Sequence, residues 1–257
     1  MNKLLQPGRI IFSLGIIALG VLSLIMQDFI IARPPEWPAD MGGKSIWAYG
    51  AGALVIACGL AIIGRKEELG ASYIIGTLIL LSFLIRHLPA LIGSTGEGIL
   101  WSLNAFKTLA LAGGAFIVAL SFIRQEGKVT AFKYYREILW VSVIFLSYFL
   151  IICGFAHFKF DDFVIGFIPA YIPFRPFWAY ACGVFLVAGG LGLLIKPVRM
   201  QAALLSGIMI LGWFLLLHIP RVIAAPNDAG ERMGLFESFT FSGILFVLTY
   251  VFAKSRG

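Results

Sequence analysis

The stretch WAYGAGALVIACGLAIIGRKEELGASYIIGTLILLSFLIRHLPALIG, Trp47 to Gly93, aligns without a gap on WAYACGVFLVAGGLGLLIKPVRMQAALLSGIMILGWFLLLHIPRVIA, Trp178 to Ala224. Of the 47 positions 16 are identical, and they include Trp47 with Trp178, Tyr49 with Tyr180, His87 with His218 and Pro89 with Pro220. Apolar composition alone does not match a tryptophan, a histidine and a proline together, so the chain is internally duplicated. The register extends upstream to Pro38 and Pro169. After a one-residue slip it extends downstream, where AFKTLALAG (Ala105 to Gly113) faces LFESFTFSG (Leu235 to Gly243).

Of 257 residues, 60% are hydrophobic and 13% charged, with a mean hydropathy of +0.94. Such a chain belongs in a bilayer. A helical crossing needs roughly 20 apolar residues, and eight segments qualify: Ile10 to Met26, Trp47 to Ile63, Ala71 to Ile92, Ile99 to Ile123, Leu139 to Phe158, Phe177 to Ile195, Ala202 to Val222 and Leu235 to Phe252. The expected fold is all-α and integral to the membrane, with eight transmembrane helices in two four-helix bundles. An even number of helices per unit makes the repeats parallel, related by an axis along the membrane normal. The units run over 1–123 and 138–257, joined by the linker RQEGKVTAFKYYRE, Arg124 to Glu137. No gap has room for a soluble catalytic domain. The first apolar run, behind Lys3 and Arg9, is long and has no A-x-A-like site after it, so it reads as a retained helix.

The net charge of +7 reports topology. Twelve of the 20 basic residues (Lys3, Arg9, Arg65, Lys66, Arg124, Lys128, Lys133, Arg136, Lys196, Arg199, Lys254 and Arg256) fall on the side of the termini, with only four acids. The positive-inside rule puts both termini in the cytoplasm, as expected in a cell inner membrane, and the excess charge suits anionic lipid of the bilayer without a nucleic-acid partner. Cys58, Cys153 and Cys182 lie in apolar segments without a CxxC spacing, which suits packing. GAGALVIACG and CGVFLVAGGLG put small residues where helices approach closely.

In the third helix of each unit Gly76, Ile79, Leu80, Phe83, Leu84 and His87 recur at spacings of three and four, one face of a helix. The histidine closes that stripe, which fits a structural residue as well as a ligand. Polar residues at membrane depth are functional candidates by default. They are Arg86, His87 and Lys107 in the first unit, and His157, His218, Arg221 and Glu237 in the second. Arg86 and Arg221 stand four positions apart in repeat coordinates, on one helix face a turn apart. Lys107 and Glu237 match with opposite sign. They pair across the units if the pseudo-two-fold axis passes near them; otherwise Glu237 is expected to turn to Arg221 or His218. His157 and His218 end helices that face each other diagonally, where two imidazoles suit haem iron, a metal ion or a quinone carbonyl. The first unit has Met26 in place of His157, and His with Met is also an axial haem pair. The plainer reading of each ring is a hydrogen bond to a nearby carbonyl or carboxylate. The aromatic loop HFKFDDFVIGFIPAYIPFRPFW, His157 to Trp178, suits the headgroup layer and predicts an interfacial or partly re-entrant lid over the second unit, or else an interface anchor with no ligand.

GFAHFKFDDF (Gly154 to Phe163), YACGVFLVAGGLGLLIKP (Tyr180 to Pro197), LLLHIPRVIAAPND (Leu215 to Asp228) and FKTLALAGGAF (Phe106 to Phe116) together resemble the DoxX family of bacterial and archaeal membrane proteins, here as two fused units. The resemblance implies a membrane subunit near quinone-linked redox chemistry, since relatives are associated with a terminal quinol oxidase and a thiosulfate:quinone oxidoreductase. A glutamate frequent in the family's second helix is replaced by Val55 and Leu186. Three functions stay open: an accessory subunit of a quinone- or thiol-linked redox system, bound to redox enzyme subunits; a small-molecule or lipid transporter; and a non-catalytic scaffold. For the first, the expected ligand site combines His157, His218, Arg221 and Glu237.

Overall fold

A computed structural model describes residues 2–38, 41–94 and 102–253. Lys254 and Arg256, counted above in the charge balance, lie outside them. Eight helices among the described residues are long and apolar enough to cross a membrane: α1 Asn2–Met26, α2 Lys44–Ile63, α3 Glu68–Ile92, α4 Leu103–Gln125, α5 Tyr135–Lys159, α7 Arg175–Leu194, α8 Arg199–Ala224 and α9 Ala229–Ala253. A short helix, α6 Asp161–Phe167, lies between α5 and α7. At about 1.5 Å per residue, 20 residues span the roughly 30 Å hydrocarbon core. Ile25, Leu60, Ile85, Ile144, Phe185 and Leu205 are each more than half exposed, a surface that needs lipid to cover it. The chain is an all-α, multi-pass membrane protein.

The helices alternate in direction, so the start of α1 and the end of α9 lie on one face and the ends of α1, α3, α5 and α8 on the other, here the loop face. Contacts follow the repeat. Within each unit the first helix packs on the second, the second on the third and the third on the fourth. The first and fourth close the circle through the other unit: α1 packs on α9, α5 packs on α4, and α4 and α9 touch each other. The shared pair α4 and α9 is the centre, with 78% of its most apolar windows buried against 22–50% in the other six helices.

Small residues permit these crossings. A methyl group added at Gly243 of α9 would lie 2.4 Å from the Phe12 backbone nitrogen of α1. At Gly113, its counterpart on α4, it would lie 3.0 Å from the Ser142 backbone of α5. The three cysteines are free thiols.

Arg9, read from the sequence as one more basic residue at the membrane edge, is buried. Its guanidinium donates to Ser121 Oγ at 2.9 and 3.0 Å and to Gln125 Oε1 at 2.6 Å, and lies 3.5 Å over the Phe122 ring. Five donors on a planar group let it bridge α1 to α4 with neutral acceptors alone.

Candidate functional site

Both third helices change pitch at the same place. Phe83–His87 and Phe214–His218 form single π turns, in which the Leu88 and Ile219 nitrogens bond to the Phe83 and Phe214 carbonyls. Two residues past each histidine, Pro89 and Pro220 have no N–H to continue the α-helical ladder, and the wider turn accommodates the loss. His87 and His218 are therefore set at a local distortion, on the loop-face half of the membrane, where three cavities meet the polar residues.

The central cavity, about 1140 Å³, lies between the units and is lined by His87, Lys107, Arg221, Glu231 and Glu237 among others. Lys107 Nζ lies 2.7 Å from Glu237 Oε2, across the pseudo-two-fold axis. The other carboxylate oxygen accepts the Ala32 backbone N–H at 2.7 Å. Ala32 and Arg33 have φ of 59° and 44°, a left-handed pair that non-glycine residues rarely adopt, and it turns that N–H toward the buried acid. Arg221 takes a different partner: its Nε lies 2.9 and 3.0 Å from the Glu231 carboxylate, and Nη1 donates to the Phe167 carbonyl at 2.9 Å.

His87 is held through Nε2. Thr108 Oγ1 donates its one hydrogen to the Asn104 carbonyl at 2.7 Å, so the 3.0 Å contact with His87 Nε2 requires the imidazole to be the donor.

Each unit also holds a lateral cavity, and the two are equivalents. The first, about 500 Å³, is lined by Phe29, Trp37, Trp47, Ala51, Val55, Leu78, Ile79, Ser82 and Arg86. Their counterparts 131 positions on, Phe160, Ile168, Trp178, Cys182, Leu186, Met209, Ile210, Trp213 and Leu217, line the second, about 650 Å³. In both, the second and third helices pack more loosely than other neighbours in the unit, and the gap is closed on the loop face by the loop after the first helix.

The second cavity carries groups that the first lacks. Cys153, His157, Trp213, His218 and Ser238 all line it. His157 Nδ1 donates to the Ala179 carbonyl at 2.8 Å, which leaves Nε2 as the acceptor of a neutral ring. Trp213 Nε1 donates to Cys182 Sγ at 3.0 Å, and the Trp178 and Trp213 rings meet edge to face at 6.1 Å. Ser238, the counterpart of Thr108, donates to the Leu235 carbonyl and does not bond to His218. His218 Nδ1 is buried with no hydrogen-bond partner, against Gly234, where an added methyl group would lie 3.4 Å from the ring. The lid helix α6 forms one wall, and Phe163 and Phe167 separate this cavity from the central one. Tyr180 OH donates to Asp161 Oδ2 at 2.7 Å, tethering the start of the lid and holding that carboxyl below the usual carboxylate range.

The sequence-predicted residues thus divide among three cavities. His157 and His218 line one, as their positions suggested. Arg221 and Glu237 do not join them: they line the central cavity with His87 and Lys107, because Glu237 is neutralised by Lys107 and Arg221 by Glu231. Arg86 lines the first lateral cavity, so the two arginines do not share a site. Glu231 and the Ala32 N–H were missed by sequence reasoning. The acid lies in a loop-face segment that gave no motif, and a backbone donor has no sequence signal. Among the described residues, no group of three or more His, Cys, Asp or Glu side chains is arranged to hold a metal ion.

No protein-family model matches the chain, and no curated protein or solved structure shows significant similarity to it. What the fold and cavities define is a class: a duplicated eight-helix membrane protein with one polar cavity on its axis and an apolar cavity in each half.

Proposed function

We propose that the protein is an accessory membrane subunit of a quinone-linked redox system and that the second cavity receives the quinone. The observation that carries the reading is that His218, a residue lining an apolar cavity that His157 also lines, keeps a buried Nδ1 without a hydrogen-bond partner. A buried polar atom without a partner costs about 1–3 kcal/mol, and a ligand that supplies the partner recovers that cost. In its Nδ1–H tautomer His218 donates to a quinone carbonyl, while His157 Nε2 accepts from a quinol hydroxyl. Trp178 and Trp213 offer flat apolar surface to the ring. The resemblance to the DoxX family points to the same chemistry, with a redox enzyme as partner and, by the positive-inside rule, both termini in the cytoplasm of a cell with this protein in its inner membrane. A thiol-linked system is the variant that Cys153 and Cys182 in the same cavity favour.

The test is to identify any quinone that co-purifies and to titrate a short-chain benzoquinone or naphthoquinone against tryptophan fluorescence. Saturable quenching is expected, weakened about tenfold in His218→Ala, the loss of one hydrogen bond to a buried ligand, and diminished in Trp178→Phe. A Soret band lost in His157→Ala and His218→Ala would replace quinone by haem as the ligand. Neither quinone nor haem, with no saturable quenching, would overturn the proposal and leave the transporter and scaffold readings.

A further inference from the structure

The first lateral cavity differs from the second in one charge. Arg86 stands where the second has Leu217. Its guanidinium donates to the Pro35 carbonyl and lies 5.2 Å from the Trp37 ring and 5.8 Å from the Phe29 ring, which are themselves stacked at 5.4 Å. No carboxylate lies within ion-pair distance of it among the described residues. Of the acids on the described part of that loop, Asp28 is held by Lys44 at 2.9 Å and Glu36 lines the central cavity. A guanidinium has five donors, and one carbonyl leaves most of them free. Below it the cavity is almost wholly apolar, and Trp47 and Ile85 at its rim are 63% and 67% exposed, so it opens sideways toward lipid and not only toward the loop face.

A cation at headgroup depth above a lateral apolar cleft is complementary to one class of molecule. We infer that the first lateral cavity is a binding site for an anionic phospholipid of the loop-face leaflet, its phosphate on Arg86 and one acyl chain between α2 and α3. Arginine grips phosphate through paired N–H donors, and the Trp37 and Phe29 faces keep the guanidinium in place while its remaining edge stays open. The chain replaces lipid contacts outside by Val55, Leu78 and Ile79 inside, so the selectivity comes from the headgroup. The second cavity cannot bind lipid in this way, because Leu217 supplies no charge and Trp213 occupies the position of Ser82. The inference is independent of any quinone in the second cavity.

Native mass spectrometry of the delipidated protein with equimolar phosphatidylglycerol and phosphatidylcholine of identical chains tests it. The wild type should retain one phosphatidylglycerol in preference to phosphatidylcholine. Arg86→Leu should reduce that preference about tenfold, the loss of a charge-assisted contact, and Arg86→Gln gives the same reading if the leucine variant does not fold. Arg86→Lys should keep part of the preference. Ser82→Trp, which puts the second unit's residue into the first cavity, should abolish retention with Arg86 still present. Equal retention in wild type and Arg86 variants, retention blind to headgroup, or no effect of Ser82→Trp would each overturn the inference, as would binding of free palmitate in place of the phospholipid.

Discussion

In the first unit His87 donates to Thr108, and the ring, the hydroxyl and the Asn104 carbonyl form a closed chain of hydrogen bonds. In the second unit His218 and Ser238 occupy the matching positions, both on a cavity wall, and do not meet. Duplication supplied the same helix end twice, with the same π turn and the same proline. One short substitution, threonine to serine, accompanies the loss of that ring-to-hydroxyl bond at His218, whose Nδ1 is buried without a partner. The lateral cavities diverge in the same way. The first holds an arginine without an acid partner; the second holds two histidines, two cysteines and a tryptophan pair. Equivalence of backbone has left room for two different ligand chemistries.

The largest effect is expected where the units are joined by charge. Lys107→Met removes the counter-ion of a buried carboxylate, and breaking such a pair costs about 3–5 kcal/mol. The double variant Lys107→Met, Glu237→Met should recover most of it, read as thermal unfolding in detergent. If the single variant unfolds like the wild type, the pair does not hold the units together.

Glycine at the two crossings gives a smaller and unequal effect. Gly243→Ala, with its 2.4 Å approach to Phe12, should cost at the upper end of the about 1–3 kcal/mol typical of overpacking, and Gly113→Ala at the lower end. Equal losses would mean that the α1–α9 and α4–α5 crossings are equally tight, against the difference described above.

The histidines give the smallest change in stability and the sharpest contrast. His87→Leu should cost about 1 kcal/mol, the net worth of its hydrogen bond. His218→Leu should be near neutral in thermal unfolding, because an apolar group replaces an unpartnered polar one, yet it should weaken quinone quenching about tenfold. The reverse pattern would show that the two rings have exchanged the roles assigned to them.

Much of this arrangement was legible in the sequence. Sixteen matched residues made the duplication plain, and four helices per unit fixed parallel repeats. The opposite signs of Lys107 and Glu237 at one repeat position already named their pairing as an outcome that depended on the axis. Arg9 was not legible: a basic residue near a helix start looks the same whether it snorkels to the interface or crosses to Ser121 and Gln125 on another helix.

The sequence by itself determined that this is a membrane protein of two like halves, because hydrophobic length and repeated identity are local properties that no packing can reverse. Only the tertiary structure decided that α1 and α5 each cross to the other half, and that the polar residues divide among three cavities. Those outcomes depend on which side chains meet across α4 and α9. The α1–α9 and α4–α5 contacts join residues more than 200 and only some 30 positions apart, and periodicity within one helix carries no information about either distance.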